Sequence, residues 1–427
     1  MVTNPTSATA PSTQPRSVVW VNQYAVPPSE PGGTRHYELA AALLERGWDA
    51  ELVVSDLSLV SRTYARRRGA RDLRAIRVVE GGVAFRFLWA SPYRQNDWRR
   101  LLSMVTFGTA VTVDLVARPS LRRSVLVGSS PHLFAALGTW IASVVRRRPF
   151  VFEVRDLWPE TYVAISGGVS TSPQVRLLQW VADLLYRRSS AIIVLAEANA
   201  KAIAERGADP SKIVFVPNGV DLATFAPMPR APRDIDAPIR FVYAGAHGPA
   251  NGLDVVVDAC AALRGRGVRG IEVVLVGDGP VKSELVARAA ARGLANLTFR
   301  DPVPKAEVPA LLASMDAGLM VLANTELFTY GVSPNKLFDY LAADLPVVTN
   351  VPGVVADVVL EAGAGLACPP GDPGALADAM ATMASAIRRG DVTEGSGRRY
   401  VAAHFDRAVL AERVDRLLAG LLDAAPR

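Results

Sequence analysis

The chain has 427 residues, of which 50% are hydrophobic and 21% are charged, and its net charge is +6. This balance excludes a largely disordered or low-complexity chain and is typical of a globular protein of two domains, because one domain commonly spans about 100–200 residues. The only two cysteines, Cys260 and Cys368, lie far apart, which excludes a disulfide framework and favours a reducing, cytoplasmic location.

The composition of the N-terminal tail and the length of the apolar runs predict no signal peptide and no membrane-spanning segment. Residues 1–16 are rich in Thr, Ser, Ala and Pro, and we predict a disordered tail there. They lack the apolar core of a signal peptide. The best apolar run, Leu133–Val145, is shorter than the roughly 18–20 residues of a membrane span and ends in an arginine triplet. A buried helix is the first interpretation of this run, and an interfacial helix is the alternative.

The excess positive charge is mostly arginine and is concentrated in the first half. The clusters are Arg66 to Arg68, Arg71, Arg99-Arg100, Arg122-Arg123, Arg146 to Arg148 and Arg187-Arg188. Two interpretations stay open: solvated helix ends, or a basic face for anionic lipid headgroups or a phosphate-bearing acceptor. A nucleic-acid partner is not expected, because no nucleic-acid-binding motif accompanies the charge.

Short apolar runs alternate with helical patterns along the whole chain. The predicted strands of the first half are Val18–Val21, Ala50–Val54, Val83–Leu88, Val125–Val127, Phe150–Val154, Ala191–Val194 and Ile213–Val216. Those of the second half are Ile239–Tyr243, Ile271–Val276, Leu297–Phe299, Ala317–Val321, Pro346–Val348 and Gly365–Ala367. Continuous apolar strands alternating with helices predict α/β domains with parallel sheets covered on both faces.

These patterns divide the chain into two doubly wound, Rossmann-like domains. We place the first at residues 17–226, a proline-rich linker at 227–238, and the second at 239–404. A last helical segment, 405–427, can pack on either domain, including back on the first. Such sheets bind ligands at the carboxyl ends of their strands, so a cleft between the domains is the expected site.

Two segments of the first domain are candidates for the site. Gly32 and Gly33 precede a helix predicted to begin near Tyr37, and glycines there allow backbone amides to approach an anion. Arg35 and His36 stand in the same turn. An ordinary strand-to-helix turn is the alternative. Arg155, Asp156 and Glu160 follow a buried strand, where charges need either a function or a structural ion pair.

The second domain contains two glycine-rich turns between a strand and a helix. The first holds Gly245, His247 and Asn251, and the second holds Gly277. Both suit a diphosphate near a helix N-terminus. They match neither the phosphate-binding loop with Gly-Lys-Ser/Thr nor the GxGxxG fingerprint.

The segment from Glu326 to Tyr340 has the richest chemistry. We predict that Ser333 caps a helix whose first residue is Pro334. Lys336 then lies in the first helical turn, where a cation and free amides favour phosphate, and Asp339 lies one turn later, where it can accept two hydroxyl hydrogen bonds. The alternative is a solvated ion pair between Lys336 and Asp339.

Taken in order, these segments resemble the retaining glycosyltransferases of family four, which have the GT-B fold. The motifs that carry the resemblance are Gly32-Gly33, Pro217-Asn218-Gly219-Val220-Asp221, Val276-Gly277-Asp278-Gly279-Pro280 and Leu341-Ala342-Ala343 before Pro346-Val347-Val348. Two further segments, 155–160 and 333–340, are similar to the branch of N-acetylfucosaminyltransferases that build bacterial O-antigen and capsule.

The resemblance implies that the second domain holds the donor. Asp339 takes the ribose hydroxyls in place of the second glutamate of the family's pair, and the first glutamate falls on Gly331. The family's diphosphate-binding arginine and lysine are expected near Ala246 and Asn251, and both are absent. Lys336 and Arg35 are expected to supply that charge. The nucleotide base is expected at Pro302 and Val303, and the family's active-site histidine falls on Arg155.

The predicted site therefore has three groups of residues. The catalytic group is Arg155, Asp156 and Lys336; the donor-binding group is Gly32, Gly33, Arg35, Gly245, His247, Asn251, Gly277, Pro302, Val303, Ser333, Asn335, Lys336 and Asp339; the acceptor group is His36 and Glu160. The mechanism expected from the resemblance is front-face displacement, with the leaving diphosphate deprotonating the acceptor. The resemblance predicts neither a cofactor nor a divalent metal.

The predicted function is transfer of a sugar, expected to be an N-acetylated hexosamine or deoxyhexosamine, from a UDP donor to a lipid-linked glycan or other hydroxyl acceptor. Peripheral attachment to an anionic membrane surface is part of this prediction. Two alternatives stay open: a sugar-nucleotide 2-epimerase of the same fold, and a non-catalytic scaffold that binds nucleotide sugars.

Overall fold

The computed structural model describes residues 15–30, 33–58, 61–67, 69, 71–94, 98–166, 172–226, 234, 236–325 and 332–424. The predicted tail lies outside these residues apart from its last two positions, and most of the predicted linker, 227–238, lies outside them as well. Arg16, which we assigned to the tail, is the first residue of a strand.

The first domain contains an eight-stranded sheet in the order β3-β4-β2-β1-β5-β6-β7-β8. Its strands are β1 (Arg16–Val21), β2 (Trp48–Ser55), β3 (Ile76–Glu80), β4 (Val83–Leu88), β5 (Ser124–Ser129), β6 (Phe150–Val154), β7 (Ala191–Val194) and β8 (Ile213–Phe215). The central strands are apolar and buried on both faces, which is why the sequence predicts them well.

One strand corrects the prediction of a purely parallel sheet. The sequence prediction missed β3, which pairs antiparallel with β4 at the edge of the sheet. Its residues alternate between exposed and partly buried, so it lacks the continuous apolar run of the inner strands. An edge strand with one solvated face gives a weaker sequence signal for this reason.

The second domain contains a six-stranded, fully parallel sheet in the order β11-β10-β9-β12-β13-β14. Its strands are β9 (Ile239–Ala244), β10 (Ile271–Val276), β11 (Leu297–Arg300), β12 (Ala317–Met320), β13 (Val347–Thr349) and β14 (Gly365–Ala367). The strand order reverses between β9 and β12, and the crevice at this reversal is where such sheets bind ligands.

Helices cover both faces of each sheet. In the first domain they are α1 (Arg35–Glu45), α2 (Trp98–Ala117), α3 (Leu133–Arg146), α4 (Glu160–Ser166), α5 (Pro173–Arg188) and α6 (Ala198–Glu205). In the second they are α7 (Asp254–Gly265), α8 (Lys282–Ala291), α9 (Val308–Ala313), α10 (Asn335–Ala342), α11 (Val354–Glu361), α12 (Pro373–Arg389) and α13 (Ser396–His404). Helices α2, α3 and α5 pack on one face of the first sheet, and α1 packs on the other.

The last helix, α14 (Arg407–Ala424), packs on the first domain. Its buried residues Leu410, Val414 and Leu418 join the same core as strands β1 and β2 and helix α1. The indole Nε1 of Trp48 donates a hydrogen bond to Asp415 on α14, at 2.7 Å. The chain therefore crosses back after the second domain and ties the two domains together.

Helix α2, with 20 residues, is longer than the apolar run at Leu133–Val145 that the sequence analysis singled out. Among the described residues it is the one helix whose length and composition would allow it to cross a membrane, with a mean hydropathy of 1.4. Its inner side, which includes Phe107, Val111 and Leu115, is fully buried in the domain. The region of Leu133–Val145 forms α3, which is buried along one side and exposed at Val144 and Val145.

Candidate active site

A cleft of about 300 Å³ lies between the two domains. Its walls come from the start of α1, the segment after β8, the segment after β11, helix α10 and the first residue of α14. The residues that line it are Pro28, Gly33, Thr34, Arg35, Tyr37, Glu38, Gly219, Val220, Asp221, Thr224, Phe225, Lys305, Ala306, Asn335, Asp339 and Arg407. Both domains therefore contribute polar groups to one concave site, as expected of a binding cleft.

The two predicted glycine turns of the second domain pack directly on each other. The amide of Gly245 donates to the carbonyl oxygen of Val276 at 2.9 Å, and the amide of His247 donates to that of Asp278 at 2.8 Å. Gly277 has a φ of +148°, and a Cβ atom there would lie 1.9 Å from the carbonyl oxygen of Gly245. Only glycine fits such an approach of two backbones, so the sequence signal at Gly277 has a definite steric cause.

Lys336 stands against the first of these turns. Its ammonium group donates to the Tyr243 hydroxyl at 2.8 Å and to Asn251 Oδ1 at 3.2 Å. A Cβ at Gly245 would lie 3.1 Å from the Lys336 side chain, which places the cation over the backbone of the turn. Burial lowers the pKa of Lys336 to about 7. Within the part of the chain that the structure describes, both hydrogen-bond partners of Lys336 are neutral, so an incoming anion would supply a full counter-charge.

Asp339 lies one turn further along α10 and faces the cleft. It does not pair with Lys336, so the solvated ion pair between these two residues is ruled out for this structure. Lys305, in the segment after β11, donates to both carboxylate oxygens of Asp339, at 2.9 and 3.0 Å. Burial raises the pKa of Asp339, and Lys305 offsets part of that rise.

Ser333 has a different role from the predicted helix cap. Helix α10 begins at Asn335 and its N-cap is Pro334, with no side-chain cap hydrogen bond. The Ser333 hydroxyl instead accepts from the backbone amide of Asn218 at 2.8 Å, and the Asn218 side chain donates to the Ser333 carbonyl. Ser333 therefore joins the second domain to the segment that follows β8, while Asn335 is exposed on the wall of the cleft.

The side chains of Arg35 and His36 are buried in a cluster around a carboxylate that the sequence analysis did not single out. Glu153, in β6, is fully buried. Its oxygens accept from His36 Nε2 at 2.8 Å and from Arg35 Nε at 3.3 Å. They also accept from the hydroxyl of Ser129 at 2.6 Å and the indole of Trp20 at 3.2 Å.

This arrangement changes the interpretation of both basic residues. The guanidinium of Arg35 also donates to the carbonyl oxygens of Pro217 and Val216, at 2.5 and 2.9 Å. Burial lowers the pKa of Arg35 to about 10 and lowers the pKa of His36. Burial raises the pKa of Glu153, but His36 and Arg35 more than offset this, so its pKa falls well below the usual range. In this conformation the two side chains hold α1 to β6, and neither points freely at a donor or an acceptor.

Three charged residues follow β6, and they do not form one cluster: Arg155 and Asp156 lie in the turn after the strand, whereas Glu160 pairs with a residue at the end of another helix. The hydroxyl of Ser130 accepts from the backbone amides of Arg155 and Asp156, at 2.8 and 3.3 Å. This fixes the turn and leaves the Arg155 side chain partly buried and that of Asp156 exposed. Glu160 accepts from Arg206 at 2.7 Å, which gives it an ion pair within the first domain and not with Arg155.

Among the remaining predicted residues, those that the structure describes lie at the carboxyl edge of the second sheet or in the wall of the cleft. Gly32 lies outside the described residues, and Gly33 lines the cleft with open space where a Cβ would stand. The His247 ring is fully buried beside Tyr243 and Phe299, so it supports the turn from within. Pro302 and Val303 follow β11 just before Lys305; Pro302 is exposed and Val303 is partly buried.

Sequence reasoning missed three residues that the structure brings to the site. Tyr243, the next-to-last residue of β9, accepts a hydrogen bond from Lys336, and Lys305 donates to Asp339. Arg407, at the start of α14, pairs with Glu38 of α1 at 2.6 Å across the cleft wall. The position of Lys305 just after a strand of a parallel sheet was a usable signal, whereas Arg407 reaches the cleft only because α14 crosses between domains.

Two family models match the chain. Residues 32–219 match the glycosyl transferase 4-like domain, and residues 238–386 match the glycosyl transferases group 1 domain. The chain is similar to the probable glycosyltransferase WbjE of Pseudomonas aeruginosa, with 26% identity over 62% of this chain and 67% of that protein. It is also similar to the D-inositol 3-phosphate glycosyltransferase of Mycolicibacterium vanbaalenii, with 28% identity over 69% of this chain and 64% of that protein.

Solved structures share the arrangement of the two domains. Sucrose-phosphate synthase from Thermosynechococcus elongatus superposes with a TM-score of 0.73 at 16% identity, over 96% of this chain and 100% of that chain. Anabaena HepE in complex with UDP-glucose superposes with a TM-score of 0.67 at 16% identity, over 95% and 99%. Two Rossmann-like domains facing one cleft define the GT-B class. With both halves matched by glycosyltransferase domains, the chain belongs to the glycosyltransferases of the GT-B fold.

Proposed function

We propose that this protein transfers a sugar from a nucleoside diphosphate, UDP first among the candidates, to a hydroxyl group of a glycan, with retention at the anomeric carbon. The observation that carries the proposal is the pairing of Lys336 with the Gly245 turn at the reversal point of the second sheet, with Asp339 one helical turn away. HepE, a protein of the same fold, has been solved with UDP and with UDP-glucose.

Each group at this edge has a chemical role in the proposal. The Lys336 ammonium and the N-terminus of α10 neutralise the diphosphate, and they stabilise it further as negative charge builds up on departure. Asp339 accepts hydrogen bonds from the two ribose hydroxyls, which requires that its carboxylate leave Lys305 at least in part. The base lies beside Pro302 and Val303. The leaving diphosphate takes the acceptor proton, so no protein nucleophile is needed.

The sugar and acceptor follow from the resemblance to the polysaccharide-building branch. We propose an N-acetylated hexosamine or deoxyhexosamine as the sugar, and a lipid-linked glycan as the acceptor. WbjE and the putative colanic acid glycosyltransferase WcaL of Salmonella typhimurium are among the relatives of this chain, the latter 26% identical over 56% of it. The acceptor would enter from the first-domain side of the cleft, near Gly33 and Thr34.

A thermal-shift series with UDP, GDP, ADP and dTDP tests the donor assignment. We expect UDP to raise the melting temperature, because a ligand at 100 times its Kd stabilises the folded state by about 2.7 kcal/mol. The matching sugar nucleotides then identify the sugar, and anomeric analysis of the product tests retention. Stabilisation by none of the four would reject the donor site and favour the scaffold alternative.

The affinity for UDP should weaken as the pH rises above 7. Lys336, with its pKa lowered to about 7 by burial, must be protonated to pair with the diphosphate, so at higher pH binding has to take up a proton. The protonated fraction falls from about one half at pH 7 to about one eleventh at pH 8, so the Kd should rise about fivefold between these two pH values. Titration calorimetry at pH 7 and 8, in two buffers of different ionisation enthalpy, measures both the Kd and the proton uptake.

Lys336→Arg is the control for this pH effect. Its guanidinium stays charged over the whole range, so its Kd should be flat between pH 7 and 8. A wild-type Kd that is equally flat, with no proton uptake, would show that Lys336 is already charged in the free protein or does not meet the diphosphate.

A further inference from the structure

One side of the first domain carries most of the exposed large apolar side chains of the described residues. Of 15 such side chains, ten lie on α2, α3 and α5. They are Trp98, Leu101, Leu102, Val105, Val113, Ile141, Val144, Val145, Leu177 and Trp180. These helices cover the same face of the first sheet and pack in the order α2, α3, α5. Their outer sides form one layer, here named the α2–α3–α5 face.

Helix α2 is apolar on its outer side as well as on its inner side. Trp98, Leu102, Val105 and Val113 are spaced three, four or eight residues apart, which puts them on one side of the helix. Their exposed fractions are 65%, 42%, 41% and 63%. An ordinary surface helix has a polar outer side. Several exposed apolar side chains on one side of a helix are typical of an interaction site.

Helix α2 is nevertheless a fixed part of the domain. It crosses α3 at a glycine contact: a Cβ at Gly138 would lie 2.4 Å from the carbonyl oxygen of Gly108. A Cβ at Gly108 would lie 2.6 Å from the carbonyl oxygen of Phe134. The inner sides of both helices are buried against the sheet. The apolar outer side is therefore available to a surface that the whole domain approaches, not to a bilayer that α2 alone would cross.

The charge around this face is of one sign. The segment 98–188, which contains all three helices, has 12 arginines, no lysine and five acidic residues, a net charge of +7 against +6 for the whole chain. The acidic residues of the three helices are already paired, Asp114 with Arg86 at 2.5 Å and Asp183 with Arg206 at 2.7 Å. Arginines follow the ends of α2 and α3 and close α5, so the apolar layer has a basic border along the amino edge of the sheet.

We propose that the α2–α3–α5 face docks this protein on an anionic lipid bilayer. The apolar outer side enters the boundary between headgroups and acyl chains, where tryptophans such as Trp98 and Trp180 are favoured, and the arginines meet anionic headgroups. The combination of many exposed apolar side chains with positive charge matches lipid, which offers an apolar interior beneath a negative surface. This inference rests on the first domain alone and does not depend on the identity of the donor.

Vesicle sedimentation tests the proposal with two matched pairs of substitutions. The first pair, Trp98→Asp with Trp180→Asp, removes two anchors that are 65% and 57% exposed. The control pair, Val286→Asp with Leu360→Asp, adds the same charge at apolar positions of the second domain that are 41% and 55% exposed. The wild type should sediment with phosphatidylglycerol vesicles at low salt and stay in solution with phosphatidylcholine vesicles.

The first pair should lower the vesicle partition coefficient at least tenfold, and the control pair should leave it unchanged. Melting temperature and UDP binding should be the same in all three proteins, which separates docking from folding and from the donor site. The proposal fails if the wild type does not sediment with the anionic vesicles, or if both pairs lose binding equally. It also fails if the wild type is a dimer that the Trp98→Asp and Trp180→Asp substitutions dissociate while vesicle binding stays unchanged. The face would then be a contact between two copies of the chain.

Discussion

Replacing Lys336 by alanine is expected to raise the Kd for the nucleoside diphosphate by tenfold or more, about 1.4 kcal/mol or above. The change removes the cation that stands over the Gly245 turn and leaves the diphosphate with backbone amides alone. The turnover number should fall further, by a factor of about 10², since a preorganised group that meets developing charge contributes more in the transition state than in the ground state. Calorimetric titration with UDP and steady-state kinetics measure the two effects separately.

The matched control for this change is Lys201→Ala, at an exposed position on α6 in the first domain. It removes the same charge without touching the cleft, so its Kd and turnover number should equal those of the wild type. Lys336→Arg should recover part of the affinity because it restores the charge with a different geometry. An unchanged Kd in the Lys336→Ala protein, with a normal melting temperature, would show that this residue does not bind the diphosphate.

Removing the carboxylate of Glu153 is expected to have the largest effect on stability. Glu153→Ala leaves the buried guanidinium of Arg35 without its counter-charge and leaves two further donors, on His36 and Ser129, without their carboxylate acceptor. The indole of Trp20 loses one of its two acceptors and keeps the Ser129 hydroxyl at 3.0 Å. Breaking a buried pair in this way costs about 3–5 kcal/mol. Urea unfolding followed by tryptophan fluorescence suits the measurement, because Trp20 contacts Glu153 directly.

Two further variants make the result interpretable. Asp378→Ala breaks an ion pair with Arg266 that is largely exposed, and such a pair contributes about 0–1 kcal/mol. Glu153→Gln keeps the size of the side chain and removes its charge, so its stability should lie between the wild type and Glu153→Ala. If Glu153→Ala were no less stable than Asp378→Ala, the cluster would contribute nothing as a charge pair.

The same cluster shows why part of the site prediction failed. Arg35 and His36 follow a glycine pair at the start of a helix, and by sequence alone such residues suit an anion. Their partner, Glu153, is 117 or more positions away and stands in the middle of an apolar strand. Nothing local distinguishes a basic residue that meets a ligand from one that meets a buried carboxylate. Only the pairing of β5 with β6 and the packing of α1 decide between them.

The second domain was more predictable because its signals are steric and local. Gly277 has to be glycine for its turn to pack on the Gly245 turn, and Lys336 follows within a few residues of the start of a helix. The cap assigned to Ser333 was wrong because that hydroxyl is used by Asn218, a residue 115 positions away. The ion pair of Asp339 with Lys305 was missed for the same reason, since the two residues are 34 positions apart.

By itself, the sequence determined the two α/β domains, the inner strands and the helix that holds Lys336 and Asp339. Burial on both faces gives an inner strand a continuous apolar run, and a glycine turn before a helix is a local steric requirement. The tertiary structure alone decided which polar groups meet each other. It assigned Arg35 and His36 to Glu153, brought α14 back to the first domain, and left the α2–α3–α5 face open. Those outcomes depend on contacts between segments that are far apart in the sequence. A local pattern of residues carries no information about such contacts.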